Sequence, residues 1–444
     1  MKLWDKGYSI ESAIESFTVG KDRELDIFLA PFDILGTIAH ITMLTEIGLI
    51  QTDELSTLKK ELITIYQTTQ EGTFTIEPGV EDVHSQVEFL LTQKLGDMGK
   101  KVHAGRSRND QVLVDLKLYF LSEIKIIIGK IHQFFETLQS LSEKHKNTLL
   151  PGYTHTQVAM PSSFGLWFGA YAESLIDDVI MFKSAWEVSN QNPLGSAAGY
   201  GSSFPLNRTL TTQLLGFETL SYNAVYAQMG RGKTEKLLGF AISSLATTMN
   251  KLATDICLYM CQNFGFISFP KEFTTGSSIM PHKKNPDVWE LMRARTNKLQ
   301  ILPVEIGQIT TNLISGYHRD LQLVKESLLP AIEEIKTILD IADYTLSHIE
   351  VNANITDAEI YTYMFSVENV NQDVIQGMPF RDAYQKTGKE IAEGTFEPRK
   401  ENLNHVHEGS IGNLCNQEIK EKMDRQIDQF NFLKADQSWE KLLA

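Results

Sequence analysis

Val112-Leu113-Val114-Asp115-Leu116-Lys117-Leu118-Tyr119-Phe120-Leu121 opens a stretch that runs to about Asn147 and carries apolar residues at Val114, Leu118, Leu121, Ile124, Ile128, Ile131, Phe135 and Leu138. Steps of three and four, sustained over about five heptads, predict one long helix packed lengthwise against others. Four more segments, over 164–182, 238–259, 291–313 and 321–339, repeat the pattern. Five long helices in the middle of one chain predict an all-α protein built on a central bundle. Strand-like alternation is scarce. Such stripes are core, and no chemistry is assigned to them.

On either side the segments shorten. Leu25, Phe28, Leu29, Phe32, Ile34 and Leu35 predict an amphipathic helix interrupted or kinked at Pro31. Val83, Val87, Leu90, Leu91 and Leu95 predict another, starting near Asp82 and ending before Gly96. Gly377, Pro379 and Gly388 punctuate the tail. The expected division is an N-terminal helical domain over 1–105, the long-helix bundle over 106–355 and a small helical C-terminal domain over 356–444.

Composition narrows the class of function. A content of 42% hydrophobic and 22% charged residues is that of an ordinary globular protein. A formal charge of −15 argues against nucleic acid as the partner, because phosphate binding needs concentrated Lys and Arg. Met1 to Ser16 lacks the basic start and apolar run of a signal peptide, and no uncharged stretch is long enough to predict a membrane span. Cys257, Cys261 and Cys415 show no zinc-ligand spacing and are expected to be reduced and mostly buried, in a cytoplasmic protein.

Several polar constellations interrupt the helices. Thr275-Gly276-Ser277-Ser278-Ile279-Met280-Pro281-His282-Lys283-Lys284-Asn285-Pro286 cannot continue a helix or a strand, so it forms a special loop, with Glu290 on the helix that follows. It offers hydroxyls, a cation, an amide and a carboxylate. His103-Ala104-Gly105-Arg106-Ser107-Arg108-Asn109-Asp110-Gln111 places arginines at a helix N-terminus, where Arg forks onto a carboxylate and free N–H groups add positive potential. Upstream, Glu81 and Asp82 open a helix, and capping accounts for them at least as well as ligand contact. Thr154 and His155 stand in a turn bounded by Gly152 and Pro161, where the histidine is an acid/base candidate. Tyr317, Gln322 and Lys325 follow Gly316, with the last two one helical turn apart. Gly195 to Gly199 offers backbone amides for a close approach. A helix over 112–146 separates Arg108-Asn109 from Thr154-His155 by roughly 50 Å. Either one of these loops is idle or the site lies between subunits.

The order Gly-Ser-Ser-x-Met-Pro-x-Lys-x-Asn, with Glu five residues later, resembles the signature of the fumarase, aspartase and argininosuccinate lyase superfamily. Together with His103 to Gln111, Gly152 to Gln157, Pro193 to Gly199 and Tyr317 to Lys325, it resembles the argininosuccinate lyase family in particular. The resemblance implies a homotetramer whose long helices merge into a 20-helix core, with each active site built from three subunits. It implies cleavage of argininosuccinate to arginine and fumarate, the last step of arginine biosynthesis, with no metal or organic cofactor. Carried over by position, Ser277 and His155 are the acid–base pair, with their direction left open, and Glu290 pairs with His155. Lys283 and Asn285 hold the substrate carboxylate. Arg108, Asn109, Thr154, Ser278, Tyr317, Gln322 and Lys325 hold the rest.

The sequence departs from the family pattern at two places. Thr18 stands near the expected substrate-binding serine, and in Tyr226 to Lys233 the residue Arg231 lacks the usual neighbouring acid. A modified argininosuccinate, a sister reaction such as adenylosuccinate cleavage, and a non-catalytic crystallin-like role are the alternatives.

Overall fold

The computed structural model describes residues 11–400, 403 and 405–444, so the first ten residues of the amino-terminal reading lie outside the described residues. Helices of eight residues or more are numbered here. Before the bundle come α1 (Ser12–Val19), α2 (Ala30–Glu46), α3 (Thr52–Gln70) and α4 (Val83–Leu95). The bundle comprises α5 (Arg108–Lys144), α6 (Phe164–Ser189), α7 (Lys233–Tyr259), α8 (Asp287–Gln300), α9 (Leu302–Ile309) and α10 (Leu323–Leu346). The tail adds α11 (Ser366–Ile375), α12 (Phe380–Glu393), α13 (Asn416–Ile427) and α14 (Phe432–Leu443).

The longest helix starts where its caps dictate. Ser107 accepts from Asn109 N at 3.3 Å, and Asp110 Oδ1 reaches back to Ser107 N at 2.8 Å, so orphan donors of the first turn are satisfied reciprocally. From there 37 residues run unbroken, about 55 Å of rod. Its apolar face, including Ile124, Ile131, Phe135 and Leu138, is fully buried. α10 lies parallel to it, as Glu123 with Lys336 at 2.6 Å and Thr137 with Asp343 at 2.6 Å show. α6 and α7 run antiparallel, tied by Trp167 and Tyr171 to Asp255 at 3.0 and 2.7 Å and by Ser244 to Asp178 at 2.6 Å.

The expected fourth bundle helix is two helices. Pro303, in the first turn of α9, has no N–H for the carbonyl of Leu299, and the ladder breaks at Ile301. The helix expected over 25–35 also differs. Asp26–Leu29 is a 3₁₀ turn, and α2 begins at Ala30 with Pro31 in its first turn, where a missing N–H costs nothing. α4 matches the sequence reading, with Asp82 accepting from Ser85 N at 2.8 Å as N-cap. α14 returns to α2, where Trp439 packs on Phe32 with ring centroids 5.9 Å apart.

The segment Ala13–Glu46 is long and apolar enough by composition to cross a membrane, contrary to the sequence reading, but 72% of its apolar window is buried within the protein. The three cysteines are free and half-buried rather than buried.

Where α2, α4 and α5 meet, a buried polar knot holds them. His84 Nδ1 lies 2.8 Å from Asp33 and 3.4 Å from Asp115, and Gln111 donates to Asp33 at 3.3 Å. These His and Asp donor atoms lie within 4.8 Å of one another, near enough to share a cation, and the imidazolium itself supplies the positive charge. Burial pulls the His84 pKa down, but the hydrogen bond and charge of Asp33, with the charges of Asp115 and Asp82, overcome it and hold the value up to about 9.

That shift carries a sign. Between pH 6.5 and about 9 the folded chain holds a proton that the unfolded chain has released, so this contribution is complete below pH 6.5 and is lost as the pH rises. Denaturant unfolding of the wild type and of His84→Gln is expected to differ most near pH 6, by on the order of 3 kcal/mol, and to converge toward pH 10. A difference independent of pH sinks this assignment.

Candidate active site

The N-terminal ends of the parallel α5 and α10 open on a cleft of about 270 Å³. Arg108, Asn109, Tyr317, Gln322 and Lys325 line it, five of the residues expected from the sequence. Asp22, Asp26, Glu81, Asp82, Arg231 and Arg319 line it as well. Its cations are already matched by acids. Arg108 lies 3.0 Å from Glu81 and 3.2 Å from Asp82, and Arg319 lies 3.0 Å from Glu81. Lys325, buried, sits between Asp22 at 2.6 Å and Asp26 at 2.5 Å. Burial raises the Asp22 pKa to about 6, although the Lys325 charge opposes it.

Gln322 ends a 3₁₀ turn, and its amide donates to the carbonyls of Thr18 and Val19 at 3.1 and 2.9 Å. The Thr18 hydroxyl bonds back to Ile14 O at 2.9 Å within α1, so this residue enters the site wall through its carbonyl. Of the two roles weighed from the sequence, capping is seen, since Asp82 caps α4, and Glu81 and Asp82 both pair with Arg108. Asp26 stands four residues after Asp22, and the two close on Lys325. The amides of Gly195 and Ala197 do not face the cleft empty-handed, since both donate to Asp110 Oδ2 at 2.9 Å and dock their loop onto the start of α5.

The remaining candidates lie at the other end of the bundle. After α5 the chain turns through β1 (Leu149–Thr154) and β2 (Gln157–Ser163), paired antiparallel with Thr154 opposite Gln157. His155 and Thr156 are the two loop residues, at φ 53° and 58°, the left-handed pair that a tight hairpin requires and that Asn or Gly normally occupies. Tyr153 anchors the hairpin on Phe264, ring centroids 5.7 Å apart. Thr154 and His155 are exposed.

The signature loop also sits at this end. Phe273, just before it, packs on Tyr344 and His348 at the close of α10, with centroids 5.4 and 5.1 Å away. That is about 28 Å along α10 from Lys325. A bridge between Thr275 and Asn285 closes the loop, with Asn285 N donating to Thr275 O at 2.9 Å, so Asn285 forms its base. Ser277 Oγ accepts from the backbone N–H of Met280 at 3.2 Å and Ile279 at 3.4 Å. Ser278, Lys283 and Glu290 are exposed. Among the described residues no hydrogen bond or ion pair joins His155 to Glu290 or to Ser277 within the chain. One chain thus presents the cleft at one end and the serine loop and histidine turn at the other.

Residues 11–300 match the family model described as Lyase. A solved structure of EDDS lyase in complex with formate superposes with a TM-score of 0.79 over 98% of this chain and 94% of that one, at 20% identity, and so shares the fold. Fold and family match together define a helical lyase of the fumarase and aspartase superfamily. Argininosuccinate lyase of Bacteroides fragilis is 58% identical over 443 residues, covering 100% of this chain and 99% of the relative. Argininosuccinate lyase of Thermotoga neapolitana is 38% identical over 393 residues, covering 88% and 99%. The chain belongs to the argininosuccinate lyase family.

The hairpin generates a test of its own. Threonine is a β-branched residue in a left-handed conformation, so Thr156→Asn is expected to stabilise the fold by about 0.5–1 kcal/mol in denaturant unfolding. A destabilised variant overturns the idea that strain is stored there.

Proposed function

We infer that the chain is a carbon–nitrogen lyase that cleaves argininosuccinate, reversibly, to arginine and fumarate, the last step of arginine biosynthesis. The observation that carries this is full-length identity to curated argininosuccinate lyases, with the Gly276-to-Glu290 signature intact. In the reaction a base takes a proton from the succinyl carbon beside a carboxylate, a carbon–carbon double bond forms, and the bond to the guanidino nitrogen breaks. The nitrogen receives a proton and leaves as arginine.

The chemistry needs donors aimed at developing negative charge. Two amides already point at Ser277 Oγ, and Lys283 lies six residues on in the same loop; this favours Ser277 as the base, its alkoxide held by fixed dipoles. His155, displayed at the hairpin tip and oriented by Glu290 of another subunit, then assists the leaving nitrogen. Lys283 and Asn285, with Ser278, hold the succinyl carboxylate. The cleft of Arg108, Asn109, Tyr317, Gln322 and Lys325, with its four carboxylates, suits the arginine half, whose guanidinium and amine need anionic partners. Thr154 and Thr18 complete the binding set.

Because the two ends of α5 lie about 55 Å apart, this reading requires several copies. We place them in a homotetramer whose bundles join in a 20-helix core. Exposed Leu291 on α8, Ile301 at the junction and Val304 on α9, at 58%, 54% and 53%, are apolar positions of the bundle that a neighbouring copy would cover. The same reading takes 1–105, 106–355 and 356–444 as three helical domains, and a cytoplasmic location. A sister lyase or a crystallin-like storage role has no observation in its favour.

Incubating the protein with argininosuccinate and following fumarate absorbance tests the activity, and no fumarate release refutes it. Ser277→Ala and His155→Asn are each expected to lower turnover at least about a hundredfold with folding intact. Near-normal turnover removes that residue from the mechanism. Mixing inactive His155→Asn with an inactive Arg108 variant is expected to restore partial activity as subunits exchange. No recovery counts against shared sites.

A further inference from the structure

A second hollow, of about 290 Å³, adjoins the cleft at the start of α7. Arg231 lines both, and Gly316 and Leu321 of the hollow neighbour Tyr317 and Gln322 of the cleft, so the two share a wall. Their charges differ. Four carboxylates line the cleft, whereas among the described residues no Asp or Glu lines the hollow, which presents Lys233 and Lys236 instead. Lys233 is exposed and Lys236 half-buried, and among the described residues neither makes an ion pair or a hydrogen bond. The Lys236 ammonium lies 5.9 Å from the centre of the Phe240 ring. It occupies room left by Gly307 of α9, where a Cβ would stand 2.7 Å from it.

This placement runs against the local electrostatics. The N-terminus of a 27-residue helix carries positive potential, and two lysines one turn apart on it repel each other. The acid of that first turn, Glu235, is already engaged: it accepts from Arg231 Nε at 2.8 Å and from Gly232 N at 2.6 Å. With 56 acidic against 41 basic residues, the chain has carboxylates to spare, yet it sets none beside these two ammonium groups. The Ser315 hydroxyl, which makes no hydrogen bond among the described residues, adds a further donor to the lining. Convergent donors and positive charge around a hollow without acids suit a ligand of the opposite sign.

We propose that this hollow is an anion subsite, separate from the cleft, in which Lys233 and Lys236, with the Ser315 hydroxyl, hold a carboxylate or phosphate group. The group can arrive by two routes. It belongs either to a free dianion or, because the hollow adjoins the cleft, to the far end of a ligand whose amino-acid half lies there. Only the second route rests on the lyase reading above.

The test compares the wild type with a double variant, Lys233→Gln with Lys236→Gln, each as the full chain in solution. Glutamine is as good a helix former as lysine, so the fold is expected to persist. Calorimetric titration with succinate and with inorganic phosphate reads the free route. Fumarate release from argininosuccinate, and from argininosuccinate carrying a succinyl group on its α-amine, reads the tethered one. Anions also bind where the succinyl half sits, but that end is the same in both proteins, so the difference between them reports on the hollow. The double variant is expected to lose about tenfold or more in affinity for succinate or phosphate, or in kcat/KM for the acylated substrate. In either case kcat/KM for argininosuccinate itself is expected to stay within about threefold. Equal anion binding together with equal use of the acylated substrate overturns the proposal. A matching loss on plain argininosuccinate overturns it too, since the lysines would then serve the cleft. Should the double variant not fold, Lys233→Gln, at an exposed position, decides by the same measurements. A wild type that releases no fumarate refutes the lyase reading instead, while the titrations still judge the hollow.

Discussion

A single unbroken helix of 37 residues constrains everything else in this protein. Its hydrogen-bond ladder and its buried apolar face make it a rod, and a rod of about 55 Å cannot bend its two ends to one small molecule. Arg108 and Asn109 are tied to its first turn, while His155 follows its last. Parallel packing of α10 repeats the separation, with Lys325 at one end and the anchor of the Ser277 loop near the other. The division of the chemistry between copies of the chain that we propose rests on helix geometry before it is a matter of family.

The two ends are built on different physical principles. The cleft at the N-terminal ends of α5 and α10 is a balanced electrolyte, in which Arg108, Arg319 and Lys325 already have carboxylate partners and the unliganded site carries little excess charge. Ligand groups must exchange with those partners, which favours a substrate half that bears both signs. At the opposite end the groups are exposed, and backbone takes the place of ion pairs: left-handed residues display His155, and a bridged loop turns amides onto Ser277. Such a loop gains strength only once water is excluded. The cleft comes with its electrostatics in place, whereas in the proposed assembly the serine loop and the histidine turn depend on closure by a neighbour.

Beneath the cleft, the contact of His84 with Asp33 and Asp115 joins the segment before the bundle to the bundle itself. A buried carboxylate pair is costly unless a cation lies between the two, and the imidazolium provides one. The same logic recurs at Arg231 and Glu235, where a buried charge is carried by a partner one turn away. Polar groups thus set which helices meet at the site, and the apolar stripes supply the bulk of the cohesion.

By itself the sequence determined the helical class, because a period of three and four is imposed by the helix and is visible without contacts. It also specified the start and stop of α4 through Asp82 and Gly96, and the identity of the signature loop, since glycine, proline and capping residues act locally. Arg108, Asn109, Tyr317, Gln322 and Lys325 were legible as candidates through the resemblance of their motifs to the family pattern. Only the tertiary structure decided that these five share one cleft, that Asp22, Asp26 and Arg319 belong with them, and that the acid for Arg231 is Glu235. It alone showed that the amides near Gly195 serve Asp110, and that Pro303 splits a bundle helix. Which groups meet across the fold depends on packing between residues tens to hundreds of positions apart, and no local propensity records that.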